Sequence, residues 1–302
     1  FRSVAGSGRA ADVGVRAPSA LLLTREGALP DAADWTHQYG DIGNTVKSDD
    51  ARVRAPLGLL WFGGNSNMDV LPRHGHGPPE QVIGGRMIIQ GMDSFSARDV
   101  YTGRLLWRTE FADLGTFGIY YNSTYSNAPL NTAYNQRHIP GANGRGANYV
   151  ATEDAVHVAV GSACQILDAR TGKLRQAINL PPKPGERAAQ DCGYIGILDN
   201  LLLAGDGFAH YTQKFGSVVK TNTIEDFSAS AGLVAFDRHS GKMLWRIEAR
   251  HSFLHNGIVA GNGRIYCLDK LPLSAEDKLK PGGSTPPAGY RIAAFDAQTG
   301  RL

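Results

Sequence analysis

The chain has 302 residues, 42% of them apolar, and a formal net charge of +3 with its bases and acids interspersed. It is long enough to bury a large core. It has no basic run of the kind that grips a nucleic-acid backbone, and nowhere approaches the ~18 consecutive apolar residues of a membrane span. The 37 glycines and 15 prolines spread along it point to a turn-rich, all-β protein.

In chain order, residues 1–34 are rich in Ala, Gly and Arg with one apolar run at Ala20-Leu21-Leu22-Leu23, and read as the tail of a preceding segment or linker. A lead-in follows, Asp34-Trp35-Thr36-His37-Gln38-Tyr39-Gly40-Asp41. Residues 57–62, Leu57-Gly58-Leu59-Leu60-Trp61-Phe62, read as an outer strand. From there two kinds of hairpin alternate. The first kind covers Val82 to Ile89, Asn148 to Gly161, Tyr194 to Gly205 and Gly257 to Leu268, with turns at Gly84-Gly85, Glu153-Asp154, Asp199-Asn200 and Gly261-Asn262-Gly263. Residues 274–280 have the composition for one or two helical turns.

The second kind is one pattern written four times. Ala97, Asp99, Thr102, Gly103 and Trp107 form the first copy; Ile166, Asp168, Thr171, Gly172 and Gln176 the second. Ala235, Asp237, Ser240, Gly241 and Trp245 form the third, and Ala294, Asp296, Thr299 and Gly300 the fourth. Asp at the first turn position bonds the backbone ahead of it, and Gly accepts the positive φ that closes the turn. Two hairpins make a four-stranded antiparallel unit, its strands A to D in order. The repeated glycines stand 69, 69 and 59 residues apart, so each unit carries insertions. Fixed-period repetition of such a unit predicts an array about an axis. The expected fold is an all-β propeller of four-stranded antiparallel blades, about four of them, forming an incomplete ring. The units span about 57–111, 112–180, 181–249 and 250–302.

These residues resemble the PQQ-type repeat propellers of the quinoprotein alcohol dehydrogenase-like superfamily, over roughly residues 57–302. The resemblance implies that Asp99, Gly103, Trp107, Asp168, Gly172, Asp237, Gly241, Trp245, Asp296 and Gly300 belong to a tryptophan-docking motif that locks blade to blade. Gln176 departs from it, and a weaker contact is expected there. The lead-in at 34–41 resembles the segment that opens many such propellers. A closed ring in that family holds more blades than these four. Phe1 in place of Met, and an end inside the fourth hairpin, read as an excerpt of a longer protein that supplies the remaining blades. The family resemblance implies a periplasmic or exported location.

In this topology the D-to-A and B-to-C connections leave one face and the short turns leave the other. The long connections are 64–80, 112–147, 181–191, 206–231 and 269–289, all on the same face, which is where binding is expected. His74, His76, His138, His210, His251 and His255 are read as belonging to it. Arg73-His74-Gly75-His76 is the sharpest cluster. Its imidazoles suit zinc, copper or iron, although His-x-His in a polar loop more often serves as hydrogen-bonded or merely exposed histidines. The Tyr- and Asn-rich stretch 112–147 suits an adaptable contact surface. Residues just before each strand A, namely Glu80, Asn148, Asp191 and His255-Asn256, lie nearest the axis and either ring a pocket or hydrate a channel. The resemblance implies PQQ and Ca²⁺ in such a place, with oxygen ligands on the metal. In that case Asp191 would be the base of an alcohol oxidation.

Cys164, Cys192 and Cys267 have no metal-site spacing, and Cys164 and Cys267 read as small core residues. The adjacent cysteine pair of some quinoprotein dehydrogenases is absent. No nucleophile elbow or phosphate loop occurs. The expectation is a binding or scaffold module for a protein, glycan or small ligand, with part of a PQQ-dependent alcohol or sugar oxidoreductase as the alternative.

Overall fold

The computed structural model describes residues 2–4, 22–24, 27–64, 69–70, 78–91, 93–112, 114, 148–209, 228–271, 279–280 and 289–302. A short ladder pairs β1 (Arg2–Val4) with β2 (Leu22–Thr24). Three antiparallel sheets follow and do not close on one another. The first runs β3 (Gln81–Ile83), β4 (Arg86–Gln90), β5 (Ser94–Asp99), β6 (Leu105–Glu110). The second runs β7 (Tyr149–Ala151), β8 (Ala155–Val160), β9 (Ala163–Asp168), β10 (Leu174–Asn179). The third has six strands: β11 (Cys192–Leu198), β12 (Leu201–Asp206), β13 (Ala229–Asp237), β14 (Met243–Gly261), β15 (Arg264–Asp269) and β16 (Arg291–Asp296). The first strands of successive units lie beside one another, β3 against β7, β7 against β11 and β11 against β14.

The six-stranded sheet departs from the expected four plus four. β14 is 19 residues long and serves first as the outer strand of the third unit, then as the inner strand of the fourth. His251 and His255, expected in a face loop, therefore lie within a strand. The cause is Asp269, whose carboxylate accepts the backbone N–H groups of Arg250, His251 and Ser252. It gives the corner hydrogen-bond partners, so the chain can pass between units without a loop. Residues 57–62, expected as a strand, form none, because no described segment lies alongside to pair with them. The short helix expected at 274–280 falls mostly outside the described residues.

Packing follows the alternation of side chains along each strand. In β12, Leu201 and Leu203 join a core with Phe253, Ile265 and Phe295 of the fourth unit. Leu202 and Ala204 turn the other way, to a core with Val150, Cys164 and Ile166 of the second. A third core joins Phe95 and Ala97 to Tyr149, Val156 and Val158. Interior sheets are thus buried on both faces, which explains why their strands read as continuous apolar runs. Cys164, Cys192 and Cys267 are free thiols inside these cores. Burial pushes the Cys267 thiol up to about 12, so it has no thiolate character at neutral pH.

The four repeated turns have one geometry. In each, a single Asp oxygen accepts the N–H two residues on, the N–H three residues on, and the Thr or Ser hydroxyl. Gly103, Gly172, Gly241 and Gly300 all have φ between 67° and 72°. The Ser240 and Thr299 hydroxyls hold the Asp237 and Asp296 carboxyls below the usual range.

Each turn glycine also lies under a side chain from the preceding unit. A Cβ on Gly172 would overlap the Trp107 ring, and one on Gly300 would come within 2.8 Å of Trp245. Trp107 donates its indole N–H to Ala169 O and Trp245 to Ala297 O, both at 3.0 Å. Trp61 repeats the contact on Gly103 and donates to Val100 O at 2.9 Å. At Gly241 the side chain is Gln176, whose Nε2 would meet a Cβ at 3.0 Å. We propose that these indoles dock each unit on the next. Trp107→Ala or Trp245→Ala is then expected to destabilise the protein by about 3–5 kcal/mol in chemical denaturation, and a loss under about 1 kcal/mol would reject docking.

Candidate functional site

An antiparallel meander sends every B-to-C and D-to-A connection out of one end of the sheets and every tight turn out of the other. The two ends of this arc differ. On the tight-turn side the lead-in runs as a strap across the inner strands of all four units. Asp34 accepts the Gly84 N–H at 3.0 Å, and Trp35 exchanges two backbone bonds with Val82. Thr36 O accepts from Ala151 N–H, and His37 Nε2 accepts the Ile197 N–H at 3.1 Å. Ile42 O accepts from Ala260 N–H at 3.0 Å, and Asn44 Nδ2 donates to Asn256 O at 3.2 Å. His37 and Gln38 are buried, and Ile42 packs on the core between the third and fourth units. The axial end on this side is covered.

The sequence-derived candidates near the starts of the inner strands have separate surroundings. Asn148, just before β7, is buried and donates Nδ2 to Gln90 Oε1 at 2.7 Å; its Oδ1 is buried without a hydrogen-bond partner. Asp191, just before β11, is exposed, and its backbone carbonyl accepts the Gly207 N–H. Glu80 is likewise exposed. His255 is buried in β14 and shares a 2.7 Å hydrogen bond with Ser230 Oγ, with Tyr194 and Phe208 around its ring. Ser230 Oγ in turn presses on Gly193 and Gly205, where no Cβ would fit. Asn256 is exposed and engaged through its carbonyl by Asn44. Arg73, His74 and His76, with His138, His210 and the Tyr-rich stretch 115–147, lie outside the described residues.

Two buried carboxylates at this end escaped the sequence reading. Asp269, described above, also pairs with Arg291 Nε at 3.1 Å. Asp206 occupies the same place in the third unit, at the end of its second strand. It is fully buried, with Arg246 Nε at 3.0 Å and Lys183 Nζ at 3.9 Å from Oδ2. Arg246 Nε is close but misaligned for a hydrogen bond, and neither Asp206 oxygen has one. Burial raises the Asp206 carboxyl above its ordinary range, against the pull of Lys183 and Arg246. Arg246 spends its other nitrogens on Pro181 O and Pro182 O, which ties the 181–191 connection to the sheet. An Asp closing the second strand of two successive hairpins was the readable signal. Beside it, Ala209, Ala229, Leu254, Leu271 and Leu279 form a small apolar cluster at the base of the third and fourth units' B-to-C connections.

The architecture matches solved proteins. The quinohemoprotein alcohol dehydrogenase of Comamonas testosteroni superposes over 89% of this chain with a TM-score of 0.52 at 16% identity. The fold is that of the PQQ-type β-propellers. Similarity also extends to quinohemoprotein alcohol dehydrogenase ADHIIG of Pseudomonas putida HK5 (TM-score 0.49, 14% identity, 89% of this chain and 39% of that one). It reaches BamB of Moraxella catarrhalis (TM-score 0.38, 14% identity, 74% of this chain and 46% of that one). The chain spans 40% of the length of the Comamonas enzyme. No protein-family model matches the sequence, and no curated protein matches it. Among the described residues, no helix is long and apolar enough to cross a membrane.

The Asp206 site has a direct test. Arg246→Met strands a buried carboxylate beside Lys183 alone and is expected to cost about 3 kcal/mol. Adding Asp206→Leu should recover most of that loss. Thermal and urea unfolding of the single and double variants would show it, and equal losses in both would reject the coupling.

Proposed function

We propose that the chain is a binding or scaffold module, a part of a PQQ-like propeller that engages a protein, glycan or small ligand on its long-connection face. Nucleic acid is not among the partners in this reading. The observation that carries it is the strap. The strap from Trp35 to Asn44 lies across the inner strands at the tight-turn end, which leaves the end where the long connections depart for a partner. On that end the 181–191 connection offers exposed Glu186 and Asp191 on a backbone held by Arg246. Residues 1–34 then belong to a preceding segment, residues 35–302 to the propeller, further blades of the same protein to the rest of the ring, and the whole to an exported protein.

The alternative is a share in a PQQ-dependent alcohol or sugar oxidoreductase, and one observation favours it: the orphaned Asn148 Oδ1 near the axis. A calcium ion with its quinone asks for about six to eight oxygens. Here Asp191 and Asn256 stand exposed in separate units and His255 is committed to Ser230. Among the described residues no three of His, Cys, Asp and Glu come together as a metal site. One unpartnered amide oxygen does not fit that cofactor pair, and Asp191 is given no catalytic step.

Calorimetric titration of the protein with PQQ and calcium is expected to give no saturable heat. Saturable one-to-one binding would replace the scaffold reading with the oxidoreductase one. For the scaffold reading itself, charge reversal at Glu186 and Asp191 is expected to abolish capture of a cellular partner. Reversal at Lys173 and Lys242, on the tight-turn face, should leave capture intact. The opposite pattern would place the interface on the wrong face.

A further inference from the structure

We propose that the strap is an acid-released latch: His37, seated in it, and His157, in β8 between the second and third units, hold it while neutral and eject it when protonated. The inference is independent of what the opposite face binds.

The geometry fixes the neutral form of His37. Its Nδ1 lies 2.9 Å from Thr36 Oγ1, and that hydroxyl has the Gly40 carbonyl as its own acceptor, at 3.5 Å. The arrangement assigns the ring proton to Nδ1, leaving Nε2 as the acceptor for the Ile197 N–H. A second proton can go only to Nε2, where it would face that N–H and break the hydrogen bond between the strap and β11. His157 is more exposed to the same chemistry. It is buried, and neither ring nitrogen has a hydrogen-bond partner. The Val150 backbone beside the ring favours a proton there, but burial outweighs it.

The charges around the pair do not rescue them. His37 faces Asp41, within the strap, which favours its charged form, and His157, which opposes it. His157 faces Arg238 and His239, from the turn after β13, which oppose its charge, and the Val150 backbone in β7 and Asp154, from the turn before β8, which favour it. Asp154 is already committed to Arg238 at 2.9 Å and lies near Arg175. Burial is the largest cause in both cases, and it lowers both histidines from 6.5 to about 4. The sign follows. With the strap released, His37 regains its ordinary affinity and binds a proton that the seated form refuses. The seated state is therefore fully favoured above pH 6.5 and loses ground as pH falls from 6.5 toward 4.

Hydrogen exchange, corrected for intrinsic rates, reads this directly. Between about pH 7 and about pH 5, protection of the Ile197 amide and of residues 35–44 is expected to fall roughly tenfold or more, while β8 and β12 keep theirs. The variant His37→Gln with His157→Phe should hold its protection across the same range, since Gln offers Ile197 an acceptor that does not titrate and Phe fills the second ring's place. Unchanged protection in the wild type overturns the latch, as does simultaneous loss across all four units, or loss in the double variant matching the wild type. If the double variant does not fold at neutral pH, the wild-type comparison of strap against β8 decides alone.

Discussion

A turn glycine in this arc answers to two demands at once. Its φ near 70° closes the Asp-x-x-Thr/Ser-Gly turn, and its missing Cβ leaves room for the indole or amide of the preceding unit. An alanine at Gly172 would strain the backbone and strike Trp107 together. The turn is therefore also an interface, and local chemistry and long-range packing are set at one residue. The indole N–H of Trp107 reaches Ala169 O and that of Trp245 reaches Ala297 O, so each indole meets the next unit through a directional bond as well as by contact. Gln176 at the equivalent position reaches its glycine with a smaller, more flexible side chain. The join between the second and third units consequently leans more on its apolar core, where Ile178 and Phe236 meet.

That double use explains what the sequence discloses. The Asp, Thr or Ser, and Gly of each turn are local and recur, so the antiparallel hairpins and the all-β class could be read directly. The course of β14 could not. Nothing in residues 243–261 marks where one unit ends, because the corner is held by Asp269, which lies in another strand. His255 was misplaced in a loop for that reason. The strap was visible only as a lead-in, since its partners Val82, Ala151, Ile197 and Ala260 are spread over about four units and share no sequence signature. Of the candidate site, the sequence offered an end of the sheets. The side chains were not, because whether Asn148, Asp191 and His255 meet depends on how far the inner strands splay.

Splaying has its own consequence. Inner strands of neighbouring units lie side by side without forming a common ladder, so some backbone groups near the axis lack strand partners. The protein meets them with side chains. Gln81 donates to Tyr149 O at 2.8 Å and accepts from Ala151 N–H at 2.6 Å, standing in for a strand between the first and second units. His37 does the same for Ile197, and Asn44 for the fourth unit. A polar axis is thus a structural requirement of the arc before it is a sign of binding, and polar residues near the axis are weak witnesses to a cofactor.

The same reasoning separates the buried polar groups that the architecture explains from those it does not. Gln81, Asn44, His37 and Asp269 each satisfy a backbone group that would otherwise be stranded. His157 satisfies none, and neither of its ring nitrogens is satisfied in return. A leucine or phenylalanine in β8 would pack between Ala155 and Ala159 without that cost. An imidazole there, beside His37 of the strap, places two titratable groups where the lead-in meets the seam between the second and third units. Stability of that seam is thereby made to depend on proton activity, whereas the joins on either side depend on indoles that do not titrate.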